Sequence, residues 1–237
     1  MPIITFANSK GGAGKTTVAL VLAAELVRRG HRVTVLDADP QQWASRWYRL
    51  SAEPAGLTVI SGLAEETVEK TLKEARKKAD YTIIDLAPGL TPMLAKAIGF
   101  SDHVMIPVQG CAMDAAGGAQ VLEILQGLAA KHEIRIPHSV VLTRISPIIT
   151  TRTLMAVKTM LSERQVHVLD TALIERAAYR DMFIAGGSLS TLDAGRVSNL
   201  DKAQDNASLL ADEVLRRVPA KVARPKAARK TSVKAAA

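Results

Sequence analysis

Short apolar runs and segments of helical period alternate along the chain. Ile3–Phe6, Arg32–Leu36, Leu57–Ile60, Tyr81–Ile84, His103–Pro107, Ser139–Leu142 and Val166–Val168 have the length and β-branched content of strands. Between and after them the spacing of apolar positions predicts helices over 16–29, 41–50, 63–78, 91–98, 114–131, 151–163, 175–184 and 198–217. Continuous apolarity within the runs is the mark of strands covered on both faces. The pattern therefore predicts an α/β fold, a mostly parallel twisted sheet of seven strands with helices on both sides. There is no internal repeat. On the third helix Glu65, Glu66 and Glu69 precede Lys70, Lys73, Arg76 and Lys77, a solvated face whose charges complement the helix dipole.

At 237 residues the chain suits one large-cored domain, read here as residues 1–218. The formal charge of +8 is concentrated at one end. Residues 216–237 carry Arg216, Arg217, Lys221, Arg224, Lys226, Arg229, Lys230 and Lys234 with no acid, so residues 1–215 sum to zero. Pro219 and Pro225 forbid a continuous helix there, and 219–237 reads as a disordered basic tail. The single cysteine, Cys111, rules out a disulfide framework and suits a reducing compartment. No secretory signal or membrane-length apolar segment is visible, and the expectation is a soluble, cytoplasmic protein with no membrane attachment.

The segment Ser9-Lys10-Gly11-Gly12-Ala13-Gly14-Lys15-Thr16-Thr17 lies between the first strand and the first helix. It approaches the phosphate-loop pattern G-x-x-x-x-G-K-[ST], with Ser9 in place of the first glycine. Gly11, Gly12 and Gly14 let successive backbone N–H groups curl around phosphate oxygens. Lys15 can reach the β- and γ-phosphates, Thr16 can place its hydroxyl on Mg²⁺, and the helix N-terminus adds partial positive charge. Lys10 has no role in that minimal loop. A second cation so near the first is repulsive unless it serves phosphate, its own or a partner's.

Acids follow at strand ends, where open α/β sheets bind their ligands. The second strand leads into Asp37-Ala38-Asp39-Pro40-Gln41, and alternation sends both acids to one side. They can orient a water, contact magnesium through water, or cap the next helix. The fourth strand ends at Asp85, which suits a magnesium-side carboxylate, and Leu86–Thr91 follows as a loop beside the γ-phosphate.

KGGAGKTT at 10–17, DADPQ at 37–41, DYTIIDLAPG at 80–89 and VMIPVQGCAMDAAG at 104–117 resemble the ParA/MinD group of deviant Walker-type ATPases. The likeness runs to about residue 217, and VVLTR at 140–144 and TALIERAAYRDMFIAGGS at 171–188 are similar to the small ParF-type partition subgroup. The resemblance implies an ATPase with ATP and Mg²⁺ as ligands, active as an ATP-sandwich homodimer. Gly11, Gly12, Ala13, Gly14, Lys15, Thr16 and Thr17 would cradle the nucleotide, and Lys10 would cross to the partner's phosphates. Asp39 would position the attacking water, Thr16 would ligate magnesium, and Asp85 would act on it through water. Asp37 would be a further switch acid near the metal. Adenine would lie around Thr143 and Arg144 and near 171–176; Thr143 stands where many relatives have asparagine.

Such ATPases bind double-stranded DNA nonspecifically as ATP dimers and are released by a ParB- or ParG-like centromere-binding protein or a cargo adaptor. The implied role is segregation of plasmid or chromosome DNA on the nucleoid, or positioning of a protein cargo by the same cycle. Arg216, Arg217, Lys221 and Arg224 are the expected DNA contacts, since phosphate binding needs Lys and Arg without base-reading elements. No helix-turn-helix precedes the phosphate loop, and the few aromatics disfavour stacking on single strands. One cysteine cannot bridge an iron–sulfur cluster, and the tail lacks the bulky apolar anchors of a membrane-binding helix.

Overall fold

The computed structural model describes residues 1–110, 112–146 and 151–220, with the side chains of 112–114 excepted. Cys111, Lys221, Arg224 and the tail beyond residue 220 lie outside the described residues. The elements are β1 (Ile3–Phe6), α1 (Lys15–Arg28), β2 (Val33–Ala38), α2 (Trp43–Leu50), β3 (Leu57–Ile60), α3 (Val68–Lys78), β4 (Tyr81–Leu86) and α4 (Pro92–Gly99). They continue as β5 (His103–Gln109), α5 (Ala112–His132), β6 (His138–Ile145), α6 (Arg152–Glu163), β7 (Leu173–Ile174), α7 (Ala177–Ala185) and α8 (Leu200–Arg217).

The seven strands form one sheet in the order β3-β2-β4-β1-β5-β6-β7, every pair parallel. Alternation along each strand divides the apolar residues between two cores. Ile4, Phe6, Val35, Ile83 and Met105 join α1, α2, α7 and α8 on one face. Ile3, Leu36, Ile84, Val104 and Ile106 join α3, α4, α5 and α6 on the other. The expected sheet with helices on both sides is what forms. β1 sits at the centre, fully buried, between β4 and β5. The loop leaving β1 therefore opens where strand order diverges to left and right, the crevice that such sheets use for ligands.

Three expectations need correction. The seventh strand is Leu173–Ile174; 166–168 meets the sheet only as an isolated bridge of Val168 to Val140, whose N–H donates to His167 O at 2.8 Å. The apolar residues at 166–168 pack against the second core instead, while the short true strand owes its place to contacts from α8 described below. The third helix starts at Val68 instead of 63, since a turn closed by Thr67 on Ala64 occupies the preceding residues. β2, β4 and β5 each run two residues further than expected and β6 three, and β2 and β4 thereby carry Asp37 and Asp85 inside the sheet as register partners. The charged face of α3 is solvated as expected, with Lys73 donating to Glu69 at 2.7 Å.

Candidate functional site

The phosphate loop closes on itself through its lysines and glycines. Gly12 and Gly14 take φ of +81° and +91°, the left-handed region that side chains rarely adopt, and Gly14 caps α1. Lys15 is buried; its ammonium donates to the backbone carbonyls of Asn8 and Lys10, both at 3.0 Å. The backbone of Lys10 is held by Asn8, whose Oδ1 accepts from the Lys10 N–H at 2.8 Å while its Nδ2 donates to Pro107 O at 2.7 Å.

Neighbouring elements clasp the loop from three sides. Ser9 Oγ donates to Gly117 O on α5 at 3.3 Å and pairs with Gln120, and the Gly89 N–H donates to Ser9 O at 2.7 Å. Gln109 at the end of β5 donates to Gly12 O. Gly117 is required by this fit, because a Cβ there would stand 2.3 Å from Asn8 Oδ1 and 3.0 Å from the Lys10 nitrogen. No motif in the sequence singles out Asn8, Gln109 or Gly117; the signal is that Asn8 lies just before the stretch at 10–17 and that Gln109 and Gly117 lie within the one at 104–117.

The acids separate in role. Asp85 is fully buried, and neither carboxylate oxygen has a hydrogen-bond partner. Burial raises its pKa to about 7, and the nearby Asp37 and Asp39 add to the rise against the favourable pull of the Thr16 hydroxyl and Lys15. An orphaned carboxylate beside a hydroxyl at a phosphate loop fits the water shell of a hydrated divalent cation held by Thr16 and phosphate. Among the described residues no cluster of three or more His, Cys, Asp or Glu forms a self-contained metal site. Asp37 is buried and already engaged: its Oδ2 accepts from Ser45 N at 2.8 Å and Ser45 Oγ at 2.7 Å, tying down α2. Of the three options open in the sequence, anchoring the following helix is the one its hydrogen bonds serve. Asp39 lies past the end of β2, half-buried, with Oδ1 accepting from Gln41 N at 2.8 Å.

Two adjoining cavities meet at the loop. The larger, about 730 Å³, is lined by Gly11, Gly12, Gly14, Lys15, Thr16, Thr17, Asp39, Gln41, Trp43, Pro88 and Arg144 among others. The smaller, about 270 Å³, shares Gly14, Thr17, Arg144 and Phe183 with it and is walled by Thr143, Leu173, Ile174, Glu175, Arg176, Tyr179 and Arg180. Thr143 is buried and its hydroxyl donates to Ala13 O at 2.8 Å, so its polar group is spent on the phosphate loop. Arg144 sits on a β-bulge with φ +51° and faces Glu175 at 3.7 Å.

Of the expected DNA contacts, Arg216 is exposed at the end of α8. Arg217 is paired with Glu213 at 3.8 Å and with the ring of His167.

The profile of the VirC1 protein family matches residues 1–218. The chain belongs to this family. A protein named ParA from Rhizobium radiobacter is 34% identical over 218 residues, covering 92% of this chain and 98% of the relative. Maintenance of carboxysome distribution protein A from Halothiobacillus neapolitanus is 30% identical over 217 residues, covering 90% and 95%. The apo structure of Cyanothece McdA superposes with a TM-score of 0.70 at 21% identity, over 88% of this chain and 98% of that one. The family member described here is thus a P-loop ATPase of the ParA/MinD type, with the sheet that type shares.

Proposed function

We propose that this chain is a nucleotide-gated dimer: ATP with Mg²⁺ closes two copies face to face, the dimer binds double-stranded DNA without sequence preference, and hydrolysis opens it. Lys15 and Thr16 hold the phosphates and the cation, with Asp85 acting on the cation's water shell. Asp39 orients the attacking water. Slow unaided turnover is expected, because water positioning rests on Asp39 alone and a partner protein would have to supply further cationic help.

One observation carries the reading. Lys15 lines the larger cavity, whereas Lys10, one turn of loop away, is not part of its described lining. A lysine whose backbone is held by Asn8, beside the phosphate loop yet outside that lining, supports a role toward phosphate from a second copy. The 34% relative named ParA favours segregation of DNA with a centromere-binding partner. The 30% relative named for carboxysome distribution supports the same cycle working on a protein cargo.

The test is Lys10→Ala, followed by light scattering on a sizing column with Mg-ATP and with Mg-ADP. The variant is expected to bind Mg-ATP as a monomer and to stay monomeric in both. A dimer like that of the unaltered protein would remove the basis for the proposal.

A further inference from the structure

β7 is the last strand of the sheet, and no strand among the described residues lies beyond it. Two groups of its outer edge are nevertheless satisfied. Asn206, on α8, accepts from the Ile174 N–H at Oδ1 (2.9 Å) and donates from Nδ2 to Ala172 O (2.8 Å). These are the N–H and C=O flanking Leu173, the pair that one residue of a parallel neighbouring strand would take. A single carboxamide thus stands in for a missing strand. The Tyr179 hydroxyl adds a third bond, donating to the same Oδ1 at 3.1 Å.

Two turns further along the helix, on the same face, Glu213 is buried and accepts from Asp170 N at 2.9 Å and Thr171 N at 2.8 Å. The backbone from 170 to 174 therefore hangs on α8. Leu173, Ile174 and Tyr179 are walls of the smaller cavity, which shares Gly14 with the larger one that Asp39 lines.

We propose that Asn206 is a positioning residue for the nucleoside half of the nucleotide site: it sets the place of β7 and Tyr179, and through them the wall that receives the base. This rests on the nucleotide reading given above. The hydrogen bonds that hold the phosphate loop come from Asn8, Gly89, Gln109, Gly117, Gln120 and Thr143, and none of these residues is bonded to Asn206. Base grip and phosphate grip are therefore separable at this residue: only the first passes through Asn206.

Two probes read the halves apart: ATP, which uses both, and inorganic tripolyphosphate, which uses the loop alone. In Asn206→Leu, affinity for Mg-ATP is expected to fall about tenfold, while that for tripolyphosphate with Mg²⁺ changes by less than about twofold. Asn206→Asp keeps the acceptor for Ile174 and Tyr179 but loses the donor to Ala172, and it provides a milder variant if the first fails to fold. It should show a smaller loss in the same direction, with KM for ATP raised and kcat unchanged. Equal losses for both probes, or no loss for either, would overturn the proposal. An unaltered protein that binds tripolyphosphate but gains nothing from the nucleoside would overturn the nucleotide reading itself.

Discussion

The ammonium of Lys15 donates to the carbonyl of Lys10 at 3.0 Å, so the two lysines of the loop are joined through backbone. The same ammonium holds the Asn8 carbonyl, and Asn8 in turn holds the Lys10 N–H. Lys15 therefore braces the turn that carries Lys10, which links the two proposed readers of phosphate, one in each copy.

Asp39 can lose its carboxylate without loss of the loop, since its one hydrogen bond is to the nearby Gln41 N–H. Asp39→Ala is expected to bind Mg-ATP with unchanged affinity and to remain dimeric in ATP, with kcat lower by about 100-fold or more. Steady-state phosphate release measures it, and ordinary turnover would refute the assigned role.

Thr143 tests which part of the site its hydroxyl serves. Thr143→Val keeps the shape but leaves the Ala13 carbonyl without its buried donor, a loss of about 1–3 kcal/mol in stability. The preference for ATP over GTP should not move, and Thr143→Ser should restore the melting point. A changed ATP-to-GTP ratio at unchanged stability would put the hydroxyl on the base.

The pH dependence of stability combines two opposed groups. Burial raises Asp85 from 3.8 to about 7, so the unfolded chain ionises first and stability falls as pH rises through that window. Burial, aided by the charges of His138, Arg217 and His167, lowers His103 from 6.5 to about 4. Here the unfolded chain takes up its proton first, and stability falls as pH drops through the window. The slopes offset each other in the ligand-free protein. Relative to it, Asp85→Asn should gain stability as pH rises from 4 to 7, and His103→Gln should lose it, each by on the order of 2–3 kcal/mol. Urea midpoints across that range decide; parallel profiles for all three proteins would show that neither group titrates as argued.

Deleting residues 219–237 removes Lys221, Arg224, Lys226, Arg229, Lys230 and Lys234. Arg217 stays behind tied to Glu213 and His167. The slope of log affinity for DNA against log salt should shrink by up to about 0.9 for each DNA phosphate that the tail neutralises. An unchanged slope would mean that the tail neutralises none.

The central part of this molecule is legible in the sequence because its signals are local. Ile3–Phe6 is a fully buried run between a proline and a glycine-rich loop, and its bounds match the prediction. The loop itself needs only its own glycines and lysines to be recognised. β7 is misplaced by the sequence pattern for the opposite reason. Val166–Val168 has the more strand-like composition, but the backbone of 172–174 is paired by Asn206, a residue more than thirty positions away on a helix. Asp37 shows the same limit: nothing in DADPQ reveals that Ser45 takes one of its oxygens. Gly117 could be read as a helix residue, but not as a position where the backbone of α5 passes close to Asn8.

Sheet order also gives the site a gradient of rigidity. The phosphate half grows from β1, the central strand, whose amides can exchange with solvent only when the domain as a whole opens. The nucleoside half leans on a two-residue edge strand, which can open alone. On the nucleotide reading proposed above, the two ends of the ligand would be gripped unequally, and exchange would start from the base while the phosphates are still held.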